Sequence, residues 1–426
     1  MISETVPQEA FVWVWLPGAT EPVVAGRLAR DGVQLVFNYG QSYLARPDAI
    51  ALYAPELPLR PGALPLPAGL SMPSAIRDAA PDAWGRRVII NSVLGQQGRD
   101  ADPAALDELT YMLQSGSDRI GALDFQASAR VYVPREARSA SLAELLDAAA
   151  LIERGVKLTP ALNQALFHGS SIGGARPKAM ITDGATKYIA KFSAQADVYS
   201  VVKAEFVAMR LAHLAGLTVA PVRLAQAAGK DVLLVARFDR EEVAAGWQRR
   251  AIVSALTLLS LDEMMARYAS YQDFAEIIRH RFKDPKDTLR ELFSRLLFNI
   301  LCGNTDDHAR NHAAFWDGHA LSLTPAYDIC PQGRTGREAS QAMLIDGDKR
   351  MSKISVCLAA APAFLLPADE AITIAKRQIE VILGQWQGVC DEAGLSDVDR
   401  ALLWRRQFLN PFAFEDAPNA LSALVT

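Results

Sequence analysis

The chain is poor in cysteine, in histidine, in long apolar runs and in excess positive charge, and each shortage closes a class of function. The four cysteines, Cys302, Cys330, Cys357 and Cys390, show no zinc-ligand or redox spacing. They read as small core residues in a reducing compartment, not as a disulfide framework. Six histidines are few for a metal hydrolase. The opening MISETVPQEA has no basic residue and no long apolar run follows it, so neither a signal peptide nor a membrane span is expected. A cytoplasmic protein is the resulting expectation. A net charge of −4 argues against direct binding to nucleic acid. Internal repeats and long low-complexity segments are also missing, which excludes a solenoid.

What is present is an ordinary globular composition, half hydrophobic and 22% charged over 426 residues. That length suggests two or three domains. Residues 10–60 read as short strands, with Asp31-Gly32 marking a hairpin. Helical signals follow over Ser74–Asp78, Val88–Leu94 and Asp107–Gln114, and a strand near Phe125. A helix is expected over 140–166, from the spacing of Leu142, Leu145, Leu146, Ala149 and Ile152. A hairpin turning at Asp183-Gly184, a helix over Val201–Leu214 and strands at Val222–Ala225 and Val232–Phe238 come next. Beyond residue 250 the pattern is helical: Ala251–Leu259, Phe274–Phe282, Thr288–Leu301, Ala368–Ala393 and Asp397–Phe408. Strands around one helix, then mostly helices, is the order of a two-lobed kinase.

The stretch Leu296–Asn311, LLFNILCGNTDDHARN, organises the rest. An apolar helix is broken by Gly303, and a polar loop follows. Asp306 and Asn311 are five positions apart, the aspartate-to-asparagine spacing of the kinase catalytic loop. There the aspartate accepts the substrate hydroxyl proton and the asparagine holds a magnesium ion. Asp328, in Thr324-Pro-Ala-Tyr-Asp328, stands where a second magnesium carboxylate belongs. His308 and His312 have the i, i+4 spacing of a zinc hydrolase helix, but Ala309 occupies the place of its glutamate. His308 reads instead as a hydrogen-bonding residue that orients Asp306 or Asp328, and Asp307 as a loop-stabilising carboxylate.

Upstream, Ser170-Ser171-Ile-Gly173-Gly174 feeds a strand. Its glycines free successive amides to cradle phosphate, although the pattern is not a P-loop. Lys191 lies on the second strand of the following hairpin, where a kinase lysine reaches the ATP phosphates, and Glu205 is its candidate helix partner. Ala236, Arg237 and Phe238 fall at the hinge position, where backbone groups meet adenine. Trp84 and Arg86 read as core packing and surface pairing.

These pieces resemble the HipA family, the kinase toxins of bacterial toxin–antitoxin modules. The matching segments are Ser171-Ile-Gly-Gly-Ala-Arg-Pro-Lys178, Ile189-Ala-Lys191-Phe, Ala236-Arg-Phe-Asp-Arg240, Asn304-Thr-Asp-Asp-His-Ala-Arg-Asn311 and Pro325-Ala-Tyr-Asp328. Leu16-Pro-Gly, the run Pro81 to Arg87 and Asp118-Arg-Ile-Gly-Ala-Leu123 resemble its amino-terminal subdomain. The resemblance implies an α+β, two-lobed, protein-kinase-like fold of the phosphoinositide-kinase-like variety. It divides the chain into an N-terminal subdomain (1–135), a kinase N-lobe (136–245) and a helical C-lobe (246–426). It implies a Mg–ATP-dependent serine/threonine kinase with Asp306 as base, Asn311 and Asp328 as metal ligands, Lys191 on the ATP phosphates and Ala236 to Phe238 at the adenine. It also implies autophosphorylation at Ser171, with Ser170 as an additional or alternative site. Phosphate there would draw the loop out of its ATP-covering pose. The implied partners are a HipB-like helix-turn-helix antitoxin, DNA through that antitoxin, and an aminoacyl-tRNA synthetase as substrate.

Two other readings remain open at this level. One is a catalytically idle kinase fold acting as corepressor with its antitoxin, against which the intact Lys191, Asp306, Asn311 and Asp328 set argues. The other is a small-molecule or lipid kinase, since a catalytic loop does not report its acceptor.

Overall fold

The computed structural model describes residues 6–95, 102–135, 140–166, 174–194, 197–334 and 336–425. The chain divides into two compact units. The first comprises Met1–Ala196, Ala225–Val253 and Trp316–His319, and the second Asp197–Leu224, Ser254–Phe315 and Ala320–Thr426.

Alternating burial builds the first sheet of unit one. Strands β1 (Glu9–Val14), β2 (Val23–Asp31), β3 (Gln34–Tyr39) and β4 (Leu123–Gln126) lie in the order β3-β2-β1-β4. Asp31 pairs with Gln34 across the expected hairpin turn. The second sheet contains β5 (Lys178–Asp183), β6 (Thr186–Phe192), β7 (Val222–Ala227) and β8 (Lys230–Ala236), in the order β5-β6-β8-β7. Its inner face shares one core with the helices Ala83–Leu94 and Leu142–Glu153, through Trp84, Val88, Leu145, Ala149, Phe192 and Leu234. Trp84 is wholly buried there, and its Nε1 donates to the Lys178 carbonyl at 3.0 Å. A buried indole N–H needs such a partner. Arg86 forms a bidentate pair with Glu108, at 2.7 and 2.8 Å.

Unit two is helical. The helix Pro285–Cys302 buries every side chain from Arg295 to Cys302 and packs on the helix Tyr271–Arg281. The long helix Ala368–Glu392 packs on Val201–Leu214, and Arg210 pairs with Glu392 at 3.0 Å where they meet.

Three expected elements differ. The 140–166 helix is two helices, Leu142–Glu153 and Pro160–Leu166. Pro160 starts the second, because a proline at a first helical position gives up an amide that has no partner anyway. Ala251–Leu259 is a strand, Ala251–Ser254, followed by the short helix Ala255–Leu258. The β-branched Ile252 and Val253 favour the strand, and the Ser254 hydroxyl caps the helix by accepting from the Thr257 amide at 3.2 Å. The helix expected over Asp397–Phe408 stops at Leu403, and Arg405 takes a φ of 62°.

Candidate active site

The catalytic loop is built from the end of a rigid helix. Cys302 completes the helix and Gly303 caps it in the left-handed region, with φ at 73°. A Cβ on Gly303 would also sit 2.8 Å from the Gln407 carbonyl oxygen. Glycine is therefore required twice over, by backbone conformation and by space. The next residues are tied down in turn. The Asn304 amide nitrogen Nδ2 donates to Asn299 Oδ1 at 3.0 Å, and the backbone N–H of Gln332 donates to the Gly303 carbonyl at 3.0 Å.

Unit two brings Asp306, His308, Asn311 and Asp328 together. Asn311 is buried and its Nδ2 donates to the Asp306 carbonyl at 3.2 Å, while its own amide donates to the His308 carbonyl at 2.8 Å. The loop is thus closed on itself between the two residues of the D-x4-N spacing. Tyr327 Oη donates to the Arg310 carbonyl at 2.7 Å, which draws the Tyr-Asp segment onto the loop. Asp328 itself holds a φ of 59°. A non-glycine residue there is uncommon, aspartate is among the few that tolerate it, and such strain gathers at functional positions. Partial desolvation raises the Asp306 carboxyl above the usual carboxylate range; His308 opposes the rise and the Asp328 charge adds to it. Two carboxylates that repel across one loop, beside an asparagine, form a hard oxygen donor set. It fits magnesium, which takes one or two carboxylates and completes its shell with phosphate and water. Among the described residues, no three His, Cys, Asp or Glu side chains gather into a closed metal cage.

The neighbours Asp306 and Asp307 have opposite environments. Asp306 is exposed; Asp307 is buried and engages Tyr271 Oη and His312 Nε2. His312 is therefore occupied in the interior.

Unit one carries the other expected residues. Lys191 lies on β6, and the hairpin register sets it directly opposite Lys178 on β5. Opposed residues on antiparallel strands share a face, so two ammonium-bearing side chains stand side by side. Lys178 was not singled out by sequence, although the Asp183-Gly184 turn fixes the register that pairs it with Lys191. Gly174 adjoins it: its φ is 100°, and a Cβ there would meet Lys178 Nζ at 2.2 Å. The Gly174 carbonyl accepts from the Trp84 amide at 3.2 Å. Ser170, Ser171 and Gly173 lie outside the described residues. Glu205 is buried in the helix Val201–Leu214 of unit two.

At the hinge position, β8 ends at Ala236, which pairs with Tyr188. Arg237 has its side chain engaged within unit one. Its amide donates to the Lys187 carbonyl at 2.8 Å. Its guanidinium donates to Asp118 Oδ1 at 3.0 Å, to the Arg119 carbonyl at 2.7 Å and to both Asp239 oxygens at 2.8 and 2.9 Å. Asp118 also receives Lys187 Nζ at 2.6 Å and Arg240 Nε at 3.0 Å. Burial alone would raise its carboxyl, but Arg237, Arg240, Lys187 and Arg249 outweigh that and hold it well below the usual range.

Comparison with known proteins gives the family and the fold. The HipA-like C-terminal domain family matches residues 170–388, and the HipA N-terminal domain family matches residues 14–126. The chain belongs to the HipA family and has its α+β, kinase-like fold. It is 31% identical over 126 residues to Y4mE of Sinorhizobium fredii, a match over 28% of this chain and 30% of that protein. It is 28% identical over 141 residues to the serine/threonine-protein kinase toxin HipA of Shewanella oneidensis, over 29% of this chain and 33% of that protein. The chain thus spans about a third of the length of these curated relatives (30% and 33%). A chain of the solved complex of Shewanella oneidensis HipA, HipB and operator DNA aligns over 96% of this chain and 98% of its own length. Its TM-score is 0.68 at 21% identity, a likeness of fold. No helix among the described residues is long and apolar enough to cross a membrane.

Proposed function

We propose that this chain is a Mg–ATP-dependent serine/threonine protein kinase, the toxin of a HipA–HipB-like module in the cytoplasm. The observation that carries the reading is the closed loop: Asn311 donates to the Asp306 carbonyl, and the strained Asp328 adds its charge to that of Asp306. Asp306 accepts the proton of the acceptor hydroxyl, because it is exposed where Asp307 is buried and engaged. Asn311 and Asp328 hold the magnesium, which supplies charge neutralisation across the phosphates. Lys191 pairs with the phosphates from the sheet, and Ala236 and Phe238 offer backbone to the adenine, with Arg237 anchoring the segment between them. His308 orients the carboxylates. Phosphoryl transfer asks for little else than placement and charge, so the chain supplies positions rather than covalent chemistry. Gly173 and Gly174 shape the ATP-covering loop, and Ser171, with Ser170 beside it, takes phosphate in self-inactivation. The acceptor is a translation component, an aminoacyl-tRNA synthetase in our reading, and a helix-turn-helix antitoxin carries the complex to DNA. The relative named as a serine/threonine-protein kinase toxin, and the solved complex of HipA with HipB and operator DNA, support the kinase-toxin and antitoxin parts of this reading.

The test is direct. Phosphatase-treated protein is incubated with Mg²⁺ and labelled ATP, and the phosphosites are mapped by mass spectrometry. Label is expected on Ser171 or Ser170 and absent from Asp306→Asn. An unlabelled wild type would favour the idle corepressor, and label surviving in Asp306→Asn would remove Asp306 from the role of base.

A further inference from the structure

We propose that Tyr271, Asp307 and His312 form a buried brace that sets the distance between the base and the metal-binding asparagine. This rests on the kinase reading of Asp306 and Asn311. The three side chains belong to residues that are 0%, 3% and 2% exposed. Asp307 Oδ1 lies 3.0 Å from His312 Nε2, and Tyr271 Oη donates to Asp307 Oδ2. Tyr271 Oη is also 3.3 Å from His312 Nε2, so each member touches the other two. Phe274, one turn further along the Tyr271 helix, packs its ring 6.1 Å from the His312 ring.

The brace derives its meaning from chain position. Asp307 follows Asp306, and His312 follows Asn311. The Asp307–His312 contact is therefore a chord drawn across the loop, one residue after each functional side chain. The Asn311-to-Asp306 bond is a second chord, offset from the first by one residue. Two parallel chords fix both the separation of the loop ends and their relative rotation. Tyr271 adds an external reference, since its backbone is held in the unit-two core by the 2.9 Å bond from its amide to the Leu344 carbonyl. Apolar side chains of similar volume could fill this space at no cost of desolvation. A buried carboxylate with two directed partners is the costlier choice, and what it adds is a fixed geometry. Displacing a reacting group by an ångström is enough to lose much of the rate. We therefore assign these three as positioning residues that touch neither nucleotide nor acceptor.

The test compares full-length wild type with Asp307→Asn and Tyr271→Phe. Mn²⁺ binding is titrated by electron paramagnetic resonance with a non-hydrolysable ATP analogue present, and phosphoryl transfer is measured with ATP. In Asp307→Asn, Mn²⁺ affinity and kcat are expected to fall about tenfold to a hundredfold, the usual loss when a supporting partner of a metal site is removed. The KM for ATP stays within about twofold, because the sheet lysine and hinge are untouched. Tyr271→Phe keeps the Asp307–His312 chord and the ring volume, so it folds normally and shows a smaller loss in the same two quantities. Wild-type Mn²⁺ affinity and kcat in a folded Asp307→Asn overturn the proposal, as does a rise in KM for ATP alone. A wild type that binds no Mn²⁺–nucleotide and transfers no phosphate overturns the kinase reading instead. The brace is then decided by hydrogen exchange at the Asn311 amide: lost protection in Asp307→Asn supports it, and unchanged protection refutes it.

Discussion

Asp118 and Arg237, 119 positions apart, are joined by a 3.0 Å ion pair that binds the segment before β4 to the end of β8. The Arg237 and Arg240 side chains at this junction are each 1% exposed, and Asp118 answers both as well as Lys187. Removing its charge takes one of two shared carboxylates from Arg237 and Arg240, which then rest on Asp239.

Asp118→Asn is accordingly expected to lose about 3–5 kcal/mol of folding stability, the range for breaking one side of a buried ion pair. Urea unfolding followed by tryptophan fluorescence measures it. A loss under about 1 kcal/mol would mean that Asp239 alone satisfies the two arginines.

The same carboxylate sets an acid limit. Its folded-state pKa is depressed, so its contribution is fully present above the unfolded value of about 3.9 and disappears as pH falls through the lower folded value. Stability in the wild type should therefore decline below about pH 4, more steeply than in Asp118→Asn. Parallel acid-unfolding curves for the two proteins would contradict this.

Asp306 has the opposite sign. Its folded pKa is raised, chiefly by desolvation, with Asp328 adding to the rise against His308. Ionising it costs stability at neutral pH, and the cost is relieved as pH falls toward that raised value. In metal-free protein, carboxyl NMR should place Asp306 above the usual carboxylate range. Asp328→Asn, which keeps a residue type that tolerates the positive φ, should bring it down. A signal that ignores this substitution would separate the two carboxylates.

Trp84→Phe removes the indole donor to the Lys178 carbonyl and leaves space in the core around Val88 and Leu145. We expect a loss of about 1–3 kcal/mol, read as a lowered urea midpoint with the slope unchanged. An altered slope would show that the substitution disturbs more than this core.

Much of this was legible in sequence because it depends on short-range patterns. The hairpin at Asp183-Gly184, the apolar run ending at Gly303 and the five-residue spacing of Asp306 and Asn311 are all local. The 140–166 helix and the Ala251–Leu259 helix were misjudged because apolar content alone does not show where a chain turns or pairs. Tyr271 was invisible as a site residue: it reaches Asp307 across 36 positions, and a tyrosine that starts a helix has no local mark of its partner. The guanidinium network of Arg237 was illegible for a related reason: the direction of its side chain is dictated by Asp118, far away in the chain.

Gly303 also bears on how this protein can be re-engineered. Any side chain there meets Gln407 backbone atoms 2.8 to 3.1 Å away while the backbone holds a left-handed turn. A library randomised across residues 303–311 and selected for a new acceptor should return glycine at its first position whatever acceptor is chosen. That position reports on folding alone, so its recovery serves as an internal control against which freedom at the other eight can be scored.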